Sequence, residues 1–240
     1  MVVFPEFTAD SDLANVEFTL GSDALVAYDL FASDARVSTG RLTRVTTTPR
    51  AGCDAWPTAQ IAGDSLRAWT IGLAAGVARA VAYAALNELQ GRDSAALVVN
   101  LSRLASQAPN DTSASFRGLP YVVRSAYRAT LVDTQAFVLA ELVRRVNVEA
   151  NPYEERTIVI GERSLRSSDA PYTLLFSERH SGDEERVPTT ELIGLVAFVR
   201  ESAHAAFAAR DFSDGGTYLM FLRGPDGRWG LRWQSAYAGC

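Results

Sequence analysis

Apolar and polar residues change rhythm several times along the chain, and each change predicts a different element. Residues 16–20 alternate, residues 24–31 are apolar with an aromatic end, and residues 41–48 are β-branched and alternating, all of which fit strands. Gly21, Ser22 and Asp23, and then Ser38, Thr39 and Gly40, punctuate these runs as turns. Residues 1–65 therefore read as an N-terminal β-rich segment, with a loop over 49–57 that carries Cys53 and Trp56.

Helical spacing enters next. Residues 69–73 read as a strand, and the alanine-rich run 77–89, bounded by Gly76 and Gly91, predicts a helix on propensity. Over residues 93–107 Leu97, Leu101 and Leu104 share one helical face with Val98 beside them, Asp93 or Ser94 offers a cap, and Pro109 ends the run. Residues 121–128 predict a short helix. Residues 135–150 and 155–162 flank Asn151 and Pro152, a turn signal that predicts an antiparallel hairpin, with a third strand over 172–179. After Pro188, residues 189–210 place Leu192, Val196, Val199, Ala203 and Phe207 on one stripe of a long helix.

The chain closes with residues 218–222 and 228–237 around Gly224, Pro225, Asp226 and Gly227, a hairpin by pattern and by turn chemistry. In its second arm Trp229, Leu231, Trp233 and Tyr237 are expected on one face, with Arg228, Arg232 and Gln234 opposite. The predicted class is α+β: curved antiparallel β-sheets, two or three packed helices and a C-terminal β-hairpin. It is organised as the 1–65 segment and an α+β body over 66–240, or as one domain over 1–240.

Composition changes this picture mainly by exclusion. All 23 basic side chains are arginine, so Schiff-base chemistry, lysine phosphate anchors and lysine general bases are absent. A net charge of −5, with arginines interleaved among glutamates, argues against a nucleic-acid partner. The most apolar stretch, residues 68–86, is broken by Arg79 and falls short of a transmembrane span, and the first residues lack the pattern of a signal peptide. Cys53 and Cys240 are a disulfide candidate that would close a very long loop, worth roughly 5 kcal/mol on chain entropy, and would imply an oxidising, extracytoplasmic (periplasmic) location. Without the bridge, the cytoplasm is expected. Two cysteines without nearby histidine make no zinc site, and no motif implies a cofactor.

Catalytic constellations are also missing: there is no G-x-S-x-G, H-E-x-x-H, C-x-x-C or phosphate loop. His180 sits in an acidic turn, and Glu154 with Glu155, like Asp183 with Glu184 and Glu185, reads as solvated charge beside turns. The expected function is a non-catalytic accessory or scaffolding subunit, membrane-extrinsic or extracytoplasmic, that docks on other proteins of a larger assembly. Its interface candidates are Trp56, Trp69, Arg228, Arg232, Trp233 and Tyr237, aromatics and arginines being the residues that anchor interfaces. The alternative is a small-ligand-binding or cofactor-free hydrolase-like α+β domain, with a cavity near His204 in which Glu201 or another carboxylate pairs with the imidazole.

Overall fold

A computed structural model describes residues 2–4, 27–32, 35–47, 52, 57–64, 66–109, 113–132, 134–146, 152–167, 170–200 and 203–239. Cys53, Trp56, Glu201, Cys240 and the strand expected over residues 16–20 lie outside them. The elements run β1 (Val2–Phe4), β2 (Ala27–Phe31), β3 (Arg36–Thr47), β4 (Pro57–Ala62), β5 (Ile71–Ala74), β6 (Ala78–Ala80) and β7 (Tyr83–Ala85). A 3₁₀ turn (Leu86–Glu88) leads into α1 (Gly91–Ser106), and a second one (Ala114–Phe116) leads into β8 (Val122–Val132). The remainder is β9 (Gln135–Val146), β10 (Tyr153–Ser164), β11 (Thr173–Asp183), β12 (Thr189–Phe198), β13 (His204–Phe212), β14 (Gly215–Arg223), β15 (Trp229–Gln234) and β16 (Ala238–Gly239).

Three sheets result. The first has strand order β1-β5-β2-β3-β4, the second β11-β10-β9-β8-β7, and the third β15-β14-β13-β12-β6 with β16 also on β14. Only β1 and β5 pair in parallel among the described ladders. The strand after residue 65, β5, is inserted between β1 and β2, so the first sheet draws on both sides of that position.

The sheets are stacked, and the stacking explains the sequence pattern. Leu97, Leu101, Leu104 and Ala105 of α1 pack on Ala136, Val138, Ala140 and Leu142 of β9. The opposite face of β9, through Phe137 and Leu139, meets Leu192, Leu195, Ala206, Ala208 and Phe221 of the third sheet. The far face of that third sheet, through Val196, Ala205, Phe207 and Met220, covers Phe31, Ile71 and Leu73 of the first. The order is therefore helix, second sheet, third sheet, first sheet.

This corrects the α+β expectation, because α1 is the one α-helix among the described residues. The helix expected over 189–210 is the β12–β13 pair, in register from Thr189 opposite Asp211 to Ala197 opposite His204. A strand in the middle of a stack is buried on both faces and loses its period-two alternation, so Leu192, Val196 and Phe207 fit a helical stripe by coincidence. The helix expected over 121–128 is β8, hydrogen-bonded to both β7 and β9. The alanine run 77–89 becomes β6, β7 and a 3₁₀ turn, since cross-strand pairing with β12 and β8 overrides alanine's helix preference.

The hairpin about Asn151 and Pro152 forms as β9 and β10, with β11 as the next strand, and the terminal hairpin forms as β14 and β15. The helix expected over 93–107 is α1, which starts two residues earlier than expected, with Gln90 at its N-cap and no side-chain cap. Two glycines mark where layers touch. A Cβ on Gly194, at the bulge of β12, would stand 2.7 Å from Ile71 Cδ1, and one on Gly161, at the bulge of β10, 2.9 Å from Leu104 Cδ1 of α1.

Candidate functional site

Antiparallel register places the charges of the β9–β10 hairpin in facing pairs, Arg145 with Glu154 and Arg144 with Glu155. Side chains alternate across the hairpin, so the two pairs point to opposite faces of the second sheet. The solvated reading of Glu154 and Glu155 is corrected here: both are buried, at 1% exposure.

Toward the third sheet, Glu154 accepts from Arg145 and from Arg156 Nε at 2.8 Å, while Arg156 Nη1 donates to the Val187 carbonyl at 2.9 Å. Burial raises the Glu154 carboxyl, but the hydrogen bonds and charges of Arg145 and Arg156 outweigh it and hold it below the ordinary range. Four residues along β9 from Arg145, buried Glu141 accepts from the Thr190 amide at 2.6 Å, and there desolvation wins and the carboxyl is raised. Farther along, Arg210 donates to both oxygens of Glu178, at 3.2 and 2.6 Å, and His180 Nε2 lies 3.0 Å from Glu178 Oε1. Burial raises Glu178, yet His180 and Arg210 bring its carboxyl down to about 2.

The opposite end of the sandwich is closed by Glu162. It accepts from Trp229 Nε1 at 2.7 Å and from Arg223 Nε and Nη2 at 2.7 and 3.0 Å. The Trp229 ring lies against Phe137 with centroids 5.0 Å apart. Trp229 is thus a bolt between the second and third sheets.

On the helix side, Arg144 Nε donates to Glu155 Oε1 at 3.0 Å and Nη1 to the Phe116 carbonyl at 3.1 Å, with its guanidinium 4.3 Å from the Tyr121 ring centroid. Arg179 shares Glu155, with Nε 3.4 Å from Oε1, and its Nη1 donates to the Pro109 carbonyl at 2.8 Å. These two arginines, with Arg117 and Tyr121, line a cleft of about 550 Å³ at the C-terminal end of α1. A second cleft of about 740 Å³ lies between the first half of α1 and β8, lined by Ser94, Val98, Arg124, Ser125 and Tyr127 among others.

His204 lines neither cleft. It sits on β13, buried between sheets, with Nε2 3.0 Å from the Leu131 carbonyl oxygen. Desolvation lowers its pKa, so the imidazole is neutral at pH 7. Glu201, its expected partner, lies outside the described residues.

The interface candidates separate. Trp69 packs against the Tyr28, Leu30 and Leu42 cluster of the first sheet. Arg228 and Arg232 are exposed, as are Leu231 at 37% and Tyr237 at 40%. A shared face for Trp229, Leu231 and Trp233 does not form, because a bulge opposite Met220 and Phe221 inserts Arg232 and turns Trp233 to the other side. Trp229 enters the core against the second sheet, while Trp233 packs partly buried on the core against the first. Tyr237 stands edge-on to Phe212, with centroids 5.7 Å apart, and its hydroxyl bonds Asp214.

Sequence reasoning missed the buried ion pairs because the Asn151–Pro152 signal does not mark the centre of the hairpin: counting outward from it sets Glu149 opposite Glu154, whereas the register places Arg145 there. Cys53, Trp56 and Cys240 lie outside the described residues. No described helix is long and apolar enough to cross a membrane, and no group of three or more metal-ligating side chains occurs among the described residues. Comparison with protein-family models, curated proteins and solved structures finds no match.

Proposed function

We propose that this chain is a non-catalytic accessory subunit that docks on another protein through the outer edge of β15. The observation that supports this reading most directly is that β15 ends the third sheet with exposed Arg228, Leu231 and Arg232, and with Tyr237 just beyond it. An open strand edge offers main-chain donors and acceptors to a partner strand, and the flanking side chains set which partner is accepted. Two arginines on a chain of net charge −5 favour a partner segment that carries carboxylates beside apolar residues.

The histidines agree with a structural role. His204 is bonded to the main chain inside the core, and His180 is held by Glu178, itself clamped by Arg210. An extracytoplasmic, membrane-extrinsic setting rests on the Cys53–Cys240 bridge, which intact mass with alkylation before and after reduction tests directly. Two alkylatable thiols in the untreated native protein would remove that part of the reading.

Docking is tested by affinity purification of the tagged chain from its native source with quantitative mass spectrometry, alongside the Arg228→Glu/Arg232→Glu variant. A defined partner set that the charge reversal depletes is expected. Recovery of a lone monomer after crosslinking, or of the same partners with the variant, would overturn the reading.

A further inference from the structure

We propose that the cleft at the C-terminal end of α1 is a binding site for a small organic oxyanion, a carboxylate or a phosphate ester, held by Arg144, Arg179 and Arg117. This proposal is independent of the β15 docking face. Three arginines line a cleft of about 550 Å³, and its lining carries no carboxylate among the described residues. Arg144 and Arg179 have side-chain exposures of only 8% and 10%, so both are fixed and largely removed from water. Their shared anchor, Glu155, is 1% exposed and is not part of the wall.

Orientation is set before any ligand arrives. Glu155 and the Phe116 carbonyl hold the Arg144 plane over the Tyr121 ring, and the Pro109 carbonyl and the Tyr121 hydroxyl, at 2.8 and 3.4 Å, hold Arg179. Planar, pre-oriented guanidinium groups match the paired oxygens of carboxylate and phosphate, and little side-chain entropy remains to be lost on binding. Arg117, exposed and followed by Gly118 at φ +77°, adds a third positive charge to the cleft. The negative end of the α1 dipole opposes an anion here, but it amounts to about half a charge, and the three guanidiniums less the Glu155 carboxylate still leave a positive balance. Ala105, Ala108, Leu119 and Pro120 supply an apolar lining for the ligand's carbon skeleton.

The test is calorimetric titration of the full chain with inorganic phosphate and with succinate, each against chloride at matched ionic strength. Arg117→Gln, Arg179→Gln and the remote control Arg232→Gln are titrated in parallel. Saturable uptake of phosphate or succinate is expected, and which one binds identifies the oxyanion. Loss of one charged hydrogen bond should weaken binding roughly tenfold in Arg117→Gln and leave Arg232→Gln unchanged. Arg117 is exposed, so its variant keeps the test decisive should Arg179→Gln fail to fold. The proposal is overturned by the absence of saturable uptake of either anion, by undiminished binding in Arg117→Gln, or by equal weakening in Arg232→Gln.

Discussion

Removing the Glu162 carboxylate would test the sandwich where its second and third sheets are bolted together. Glu162 is 6% exposed and Trp229 4%, and the carboxylate takes one indole and two guanidinium hydrogen bonds. Glu162→Ala leaves the indole N–H buried without its acceptor and strands the Arg223 charge. Breaking a fully buried pair costs about 3–5 kcal/mol. Arg223 keeps 28% side-chain exposure, so water recovers part of that loss and about 2–3 kcal/mol remains. In a chain of this size each kcal/mol moves Tm by about 2–4 °C, so a fall of about 4–12 °C is expected. Glu162→Gln keeps an acceptor for Trp229 and should lose roughly half as much. Circular dichroism melts at pH 7, with urea unfolding to confirm an unchanged m-value, read the result. A Glu162→Ala melt within about 2 °C of wild type would refute the bolt, on the same size scaling.

Three further outcomes follow from the buried charges and the tight contacts. Glu141→Gln keeps an acceptor for the Thr190 amide while removing a carboxylate whose pKa burial raises; a raised group loses its stabilising contribution as pH climbs through the folded value, so the variant should gain on wild type in Tm from pH 5 to pH 8. Glu178 behaves oppositely. Its carboxyl is lowered to about 2, so its contribution is present above the ordinary carboxylate value and lost as pH falls toward 2, and Glu178→Gln should flatten the acid limb of a stability-against-pH curve. Gly161→Ala would press a Cβ against the Thr173 carbonyl at 3.0 Å and Leu104 Cδ1 at 2.9 Å, and urea unfolding should show a loss of about 1–3 kcal/mol.

The sequence was readable where one face of an element meets solvent or a turn signal marks a reversal of the chain. Leu97, Leu101 and Leu104 reveal α1 because its other side is wet, and Asn151–Pro152 and Gly224–Gly227 reveal two hairpins because turn chemistry is local. It misled where the layers are deepest. Ala205, Ala206, Phe207 and Ala208 are buried on alternating faces of β13, and a run of small apolar residues without alternation carries the composition of a helix. The bulge that turns Trp233 away from Trp229 leaves no mark in the pattern, because Arg232 alternates as well as any residue would. The arginine cleft joins residues from the α1–β8 connection, β9 and β11, so no local motif announces it.

The docking face is tested most directly by hydrogen exchange on the chain in its crosslink-stabilised native complex and on the isolated chain. Amides of residues 228–237 are expected to exchange at least about tenfold more slowly in the complex while those of α1 are unchanged, the mark of a strand edge that has found a partner. Equal exchange over residues 228–237 in both samples, or protection confined to α1, would contradict it.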